Sequence, residues 1–133
     1  GFNVRAHSKA GARGMWQLMP YTAKLFGLKV YKNNDQRLDP YLSTTVAAKI
    51  LKRNYQRTQS WPLAITAYNY GLRGIMTAIQ NHNTTNYMKL RVLHDGKTFG
   101  FASRNFYPSF LAVRNLVITY SNDKKMLLSK QYQ

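Results

Sequence analysis

At 133 residues and 44% hydrophobic content, the chain is long enough for one domain with a real core and too apolar to be intrinsically disordered. Twenty Lys and Arg against four acidic residues give a formal charge of +16, which calls for an anionic partner: nucleic acid, an acidic membrane or an acidic polymer such as cell wall. The lack of Cys excludes disulfides, thiolate catalysis and Cys-based metal sites, and no apolar run nears the ~18 residues of a membrane span.

Residues 1–14 carry Gly11 and Gly14 among small polar side chains, a turn-rich entry. Pro20 at a first helical position, with Thr22, Ala23, Leu25 and Phe26 behind it, predicts a helix ending at Gly27. Asp39-Pro40 is a strong helix start, an N-cap acceptor followed by Pro at the first helical position. Behind it Leu42, Val46, Ile50 and Leu51 recur at helical spacing, with Lys49, Lys52, Arg53 and Arg57 on the opposite side. Ser60-Trp61-Pro62 starts another helix in the same way, running through Leu63 to Tyr70 and ending at Gly71. Leu72 to Gln80 predicts a further helix that stops in the polar stretch Asn81–Asn86. Residues 94–101 read as a turn, where Asp95-Gly96 suits a tight hairpin but the flanks are too short for strands. Phe106, Phe110, Val113 and Val117 mark a long helix from Arg104 to Tyr120, with Pro108 inside its first turns. The expected fold is mainly α with about six helices and little or no sheet, in one domain over 1–120 followed by a polar, fraying tail over 121–133.

The acids are Asp35, Asp39, Asp95 and Asp123, and no residue is glutamate, so a common proton-transfer group is missing. Helix capping accounts for Asp39, while Asp35 and Asp123 fall in polar loops. His7, His82 and His94 are far apart in sequence and lack ligand spacing, and His94-Asp95 reads as surface loop, so no metal or cofactor is expected. The basic residues are scattered through 5–130 with no dense cluster and no nucleic-acid motif. Ten Tyr and six Phe could stack bases, which makes a nucleic-acid binder the alternative from another class, but a basic exterior suited to an anionic wall polymer covers the same facts and no nucleic-acid partner is expected.

Two stretches stand out: Gly11-Ala12-Arg13-Gly14-Met15-Trp16-Gln17-Leu18-Met19-Pro20, and Ala67-Tyr68-Asn69-Tyr70-Gly71. With Phe2-Asn3, Ala6 and Ser8 they resemble the lytic transglycosylase domain, a relative of goose-type lysozyme. The block Gly100-Phe101-Ala102-Ser103-Arg104-Asn105-Phe106-Tyr107-Pro108 resembles the late motif of the membrane-bound type D branch. The resemblance implies a lysozyme-like domain that binds the glycan strands of peptidoglycan. It also implies cleavage between N-acetylmuramic acid and N-acetylglucosamine without water, leaving 1,6-anhydro ends, by a monomer in the periplasm or cell envelope.

In the family pattern one glutamate acts first as acid and then as base, and Gly1 falls at the third place of Glu-Ser-x-Phe. The acid is therefore expected two residues before Gly1, and the chain by itself is expected to be inactive. A chain that has lost its acid and only binds glycan is the other reading. By motif match, Ser8 lies near that glutamate, Gln17 and the Met19 main chain hold the N-acetyl sugar, and Tyr68 and Asn69 contact substrate and acid. Tyr107 is matched to a late tyrosine, a place for which Phe106 competes and core packing serves equally well. Such an acid needs a largely apolar pocket, for which Met15, Trp16, Met19 and Tyr68 are the candidate lining. The late region carries Ala102 and Ser109 where other members often have a glutamate.

Overall fold

The computed structural model describes the backbone of residues 3–130 and their side chains except those of 123 and 125–130. The motif positions Gly1 and Phe2, and residues 131–133 of the expected tail, lie outside the described residues. Residues 1–56 and 57–133 form two compact units.

In the first unit, turns lead into helix α1 (Pro20–Leu25), which carries Pro at its start as the sequence predicts. Gly27 ends it at φ +91°, its N–H reaching the Lys24 carbonyl while Leu28 N–H reaches that of Ala23. A short antiparallel pair follows, β1 (Val30–Tyr31) and β2 (Asn34–Asp35), in the register Val30 opposite Asp35 and Tyr31 opposite Asn34. The sequence placed its one candidate hairpin at Asp95-Gly96 instead; residues 94–100 there form a turn with no strand. Two residues a side are too few to show the period-two pattern that announces a strand.

Helix α2 (Pro40–Thr58) starts where Asp39-Pro40 sets it. Asp39 Oδ1 accepts the main-chain N–H groups of Tyr41 (2.8 Å) and Leu42 (2.9 Å), two donors the first turn leaves unpaired. Its buried stripe is Ser43, Val46, Ala47, Ile50, Asn54 and Thr58, at helical spacing but more polar than expected, and Leu42 stays exposed. Lys49, Lys52, Arg53 and Arg57 face solvent.

In the second unit, α3 (Trp61–Tyr70) packs against both α4 (Leu72–His82) and α6 (Phe101–Lys130), with α5 (Tyr87–Leu93) between. Ser60 does not cap α3 as Asp39 caps α2, for its side chain makes no cap bond; Thr58 Oγ donates instead to the Ser60 carbonyl. Gly71, at φ +96°, closes α3 as predicted. Leu63, Ala67, Ile75, Ala78, Tyr87, Leu90 and Phe99 form the buried core, each large aliphatic side chain contributing about 1.5–3 kcal/mol. Helix α5 escaped the sequence reading because its seven residues complete barely two turns. Its signal was Asn86, whose Oδ1 accepts Lys89 N–H at 3.0 Å.

Helix α6 begins earlier than expected and continues through Lys130, so residues 121–130 of the expected tail are helical. Pro108 lies within it and has no N–H for the carbonyl of Arg104 four residues back. That carbonyl is taken up elsewhere, accepting Tyr87 Oη–H and Arg91 Nε–H, each at 3.0 Å. The proline thus directs one helical carbonyl sideways and ties α5 to α6.

Candidate active site

In the first unit, the motif loop folds back on itself through paired main-chain bonds, Arg13 N–H to Leu18 O and Leu18 N–H to Arg13 O. Gly14 sits inside that loop at φ +76°, where an added Cβ would stand 2.0 Å from the Arg37 carbonyl oxygen, so only glycine fits. Gln17 holds the left-handed region at φ +49°, with both its main-chain N–H and Nε2 donating to Gly14 O, at 3.0 and 2.8 Å. Gln17 is exposed, and with Nε2 engaged, Oε1 is the acceptor it offers a ligand. The Met19 carbonyl accepts Ala23 N–H to open α1, and the residue is 42% exposed. Trp16 is half-buried, its indole N–H donating to Thr44 Oγ at 2.7 Å. Ser8 Oγ accepts Ala12 N–H at 3.0 Å, the bond of a turn serine, and keeps its own hydrogen to donate.

Arg37 holds this loop in place, a residue the sequence reading passed over. Its guanidinium is 4% exposed and donates from Nη1 to the carbonyls of Gly11 (2.9 Å) and Leu18 (3.1 Å). Nε and Nη2 grip the two carboxylate oxygens of Asp35 at 2.8 and 2.7 Å, and Arg13 adds a third bond at 3.2 Å. Asp35 is therefore a buried anchor and not a loop acid; the Arg37 bond is the main cause holding its carboxyl below the ordinary value of 3.8. Nothing local in the sequence marks a contact that runs from residue 37 to residues 11 and 18.

In the second unit, Tyr68 and Asn69 lie in the last turn of α3. Asn69 is exposed and its Oδ1 accepts the hydroxyl of buried Ser103 at 2.9 Å. That bond fixes which end of the carboxamide faces which way and leaves Nδ2 as the donor for a ligand. Ser103 belongs to the late motif, yet the sequence alone gave it no role. Tyr68 is half-buried, and burial pushes its phenol far above the ordinary value of 10.0, so it stays a neutral hydrogen-bonding group at physiological pH. Tyr107 meets Tyr87 edge-on at 5.2 Å and packs against the core, the position that plain packing calls for.

The histidines differ from expectation. His94 is buried, not a surface loop residue: its N–H continues the α5 bonding to Leu90 O, which turns the ring inward, and Nε2 meets Tyr70 Oη at 3.1 Å. Its ring lies 5.8 Å from that of His82, so two histidines distant in sequence are neighbours. Burial is the larger cause holding His94 below its ordinary value of 6.5, with His82 second. Among the described residues, no group of three or more His, Cys, Asp or Glu is placed to hold a metal ion.

The family model of the transglycosylase SLT domain matches residues 1–90, more than half of the sequence. The chain belongs to that family. Over 82 residues it is 39% identical to the membrane-bound lytic murein transglycosylase D of Escherichia coli K12, and equally so to the protein of that name in E. coli O6:H1. Each match covers 61% of the chain but 18% of the relative, so the chain spans a minor part of those proteins. The SLT match takes in the loop bearing Gln17 and Met19 and the Tyr68-Asn69 pair; Ser103 and Tyr107 lie beyond it. No described helix is long and apolar enough to cross a membrane.

Proposed function

We propose that this SLT chain is part of a peptidoglycan lytic transglycosylase of the cell envelope. It would cleave the β-1,4 bond between N-acetylmuramic acid and N-acetylglucosamine without water, leaving 1,6-anhydro ends. The observation that carries the reading is the Asn69–Ser103 pair within the Ala67–Gly71 motif: an exposed carboxamide oriented by a buried hydroxyl, next to a phenol that burial keeps neutral. These are groups suited to a neutral, hydroxyl-rich substrate, and none of them needs a cofactor. In the first unit, Gln17 Oε1 would accept the acetamido N–H, in line with the motif match.

Bond cleavage needs a proton delivered to the leaving oxygen, and the 133 residues hold no glutamate to deliver it. The family acid would stand two positions ahead of Gly1, protonating the leaving group and then taking the proton of the sugar's 6-hydroxyl as that oxygen closes on the anomeric carbon. The second reading is a glycan-binding chain without catalysis. Incubating purified sacculi with the chain as it stands, and with Glu-Ser placed ahead of Gly1, separates the two. Anhydro products from the extended chain alone support the proposal. Products heavier by one water would mean hydrolysis, and binding without release in both cases would favour the non-catalytic reading.

A further inference from the structure

A second feature of the molecule lies wholly in the unit of residues 57–133. An open cleft of about 520 Å³ runs between α4 and the turn at His94–Gly96, the size of a site for a small molecule. Arg73, Thr77 and Asn81 line it at intervals of four residues, which places them on one stripe of α4, and all are exposed. A polar stripe alone would be a solvated helix face; here it forms a wall of a concave site.

The floor is specifically built. Tyr70 Oη meets His94 Nε2 at 3.1 Å, and two glycines permit that bond. A Cβ on Gly74 would stand 2.4 Å from the Tyr70 ring, and one on Gly96 would stand 2.6 Å from His94 Nε2 and 2.7 Å from Tyr70 Oη. Side chains at either position would displace the Tyr70–His94 pair.

The cleft also holds opposite charges that do not meet. Arg73 and Asp95 both line it, and neither takes part in an ion pair among the described residues, where the only carboxylate in such pairs is Asp35. A guanidinium without a carboxylate on one side and a carboxylate without a cation on the other leave both to a ligand that bears the complementary groups. We propose that this cleft binds a zwitterionic peptide end, its carboxylate against Arg73 and its ammonium against Asp95, with Thr77 and Asn81 available to the amide between. Resting on the proposed function, such a ligand would be a peptide carried by the glycan strands, its ammonium supplied by a side-chain amine because the peptide's own N-terminus is joined to the sugar, so the cleft would read the peptide part of the polymer.

The test is a titration of the isotope-labelled chain with alanyl-alanine, followed through the amide signals of His94 and Gly96. The N-acetylated dipeptide, its C-terminal amide and tri-N-acetylchitotriose serve as comparisons. Binding is expected for the zwitterion and about tenfold weaker for either blocked form, since each loses one charge-assisted contact. Arg73→Ala should weaken the zwitterion about tenfold, and Asp95→Asn should erase the difference between free and N-acetylated dipeptide. Both side chains are exposed, so neither change reaches the core. Equal affinity for all dipeptides, no response to Arg73→Ala, signal shifts with the sugar alone, or no shifts at all would each overturn the assignment. Because no bond is cleaved, dipeptide binding by a chain whose Glu-Ser-extended form fails on sacculi would count against the transglycosylase reading and leave the cleft standing.

Discussion

Arg37 in the first unit and Arg104 in the second each gather main-chain carbonyls from separated stretches, but with different counter-groups. Arg37 is almost fully buried and shares its donors between two carbonyls and the Asp35 carboxylate. Arg104 is half-buried, lies over the Phe99 ring at 5.5 Å, and donates only to carbonyls: Phe99 and Arg91 at 3.0 Å, His94 at 2.8 Å. A charge removed fully from water needs an opposite charge, whereas one left partly in water can be held by dipoles and a ring face. A chain with four acids places one of them where that need is greatest.

Asp35→Asn should break this contrast most sharply. It strands a buried guanidinium and should cost about 3–5 kcal/mol, read by urea denaturation, with first-unit amides losing exchange protection first. Gly14→Ala comes next, at about 3 kcal/mol, because the new methyl meets the Arg37 carbonyl and the residue must keep a positive φ. Arg104→Met, which keeps the packing stem and drops the donors, should cost about 2 kcal/mol by the same measurement and leave the Asp35 pair intact. Ser103→Ala should cost about 1 kcal/mol. It should also lower sacculus cleavage by the Glu-Ser-extended chain about tenfold, through a freely turning Asn69 carboxamide.

Acid sharpens the comparison with the smallest effect near neutrality. Asp35 has a depressed pKa, so its stabilisation is present above the ordinary 3.8 and is lost as pH falls below it. His94 is also depressed, so the unfolded chain takes up its proton first and the second unit weakens slightly as pH falls below 6.5. Thermal melts from pH 8 down to about 3 should show a shallow loss from 6.5 and a steeper one in the carboxylate range. Loss of the shallow phase in His94→Gln would confirm its source.

Local chemistry made much of the fold legible. Pro20, Asp39-Pro40, Gly27 and Gly71 act on their own and adjacent turns, and each helix boundary they announce is where the structure puts it. What the sequence hid is long-range: the Arg37 grip, the Tyr70–His94 bond and the Ser103–Asn69 bond join residues 19 to 34 apart. The resemblance singles out Gln17, Tyr68 and Asn69 as candidates, but the partners that orient Gln17 and Asn69, the Gly14 carbonyl and Ser103, come from the folded geometry. His94 was misread for a related reason, since a polar dipeptide in a turn looks solvated until the turn is seen folding inward.

Pro108 has a consequence for how the second unit tolerates change. Any other residue there would bring an amide hydrogen aimed at the Arg104 carbonyl, in competition with Tyr87 and Arg91. A substitution that makes α6 a more regular helix would thereby loosen the bracing of its neighbour. Local regularity and global cohesion pull in opposite directions at that residue, and a Pro108→Ala chain would be gaining helix while losing fold.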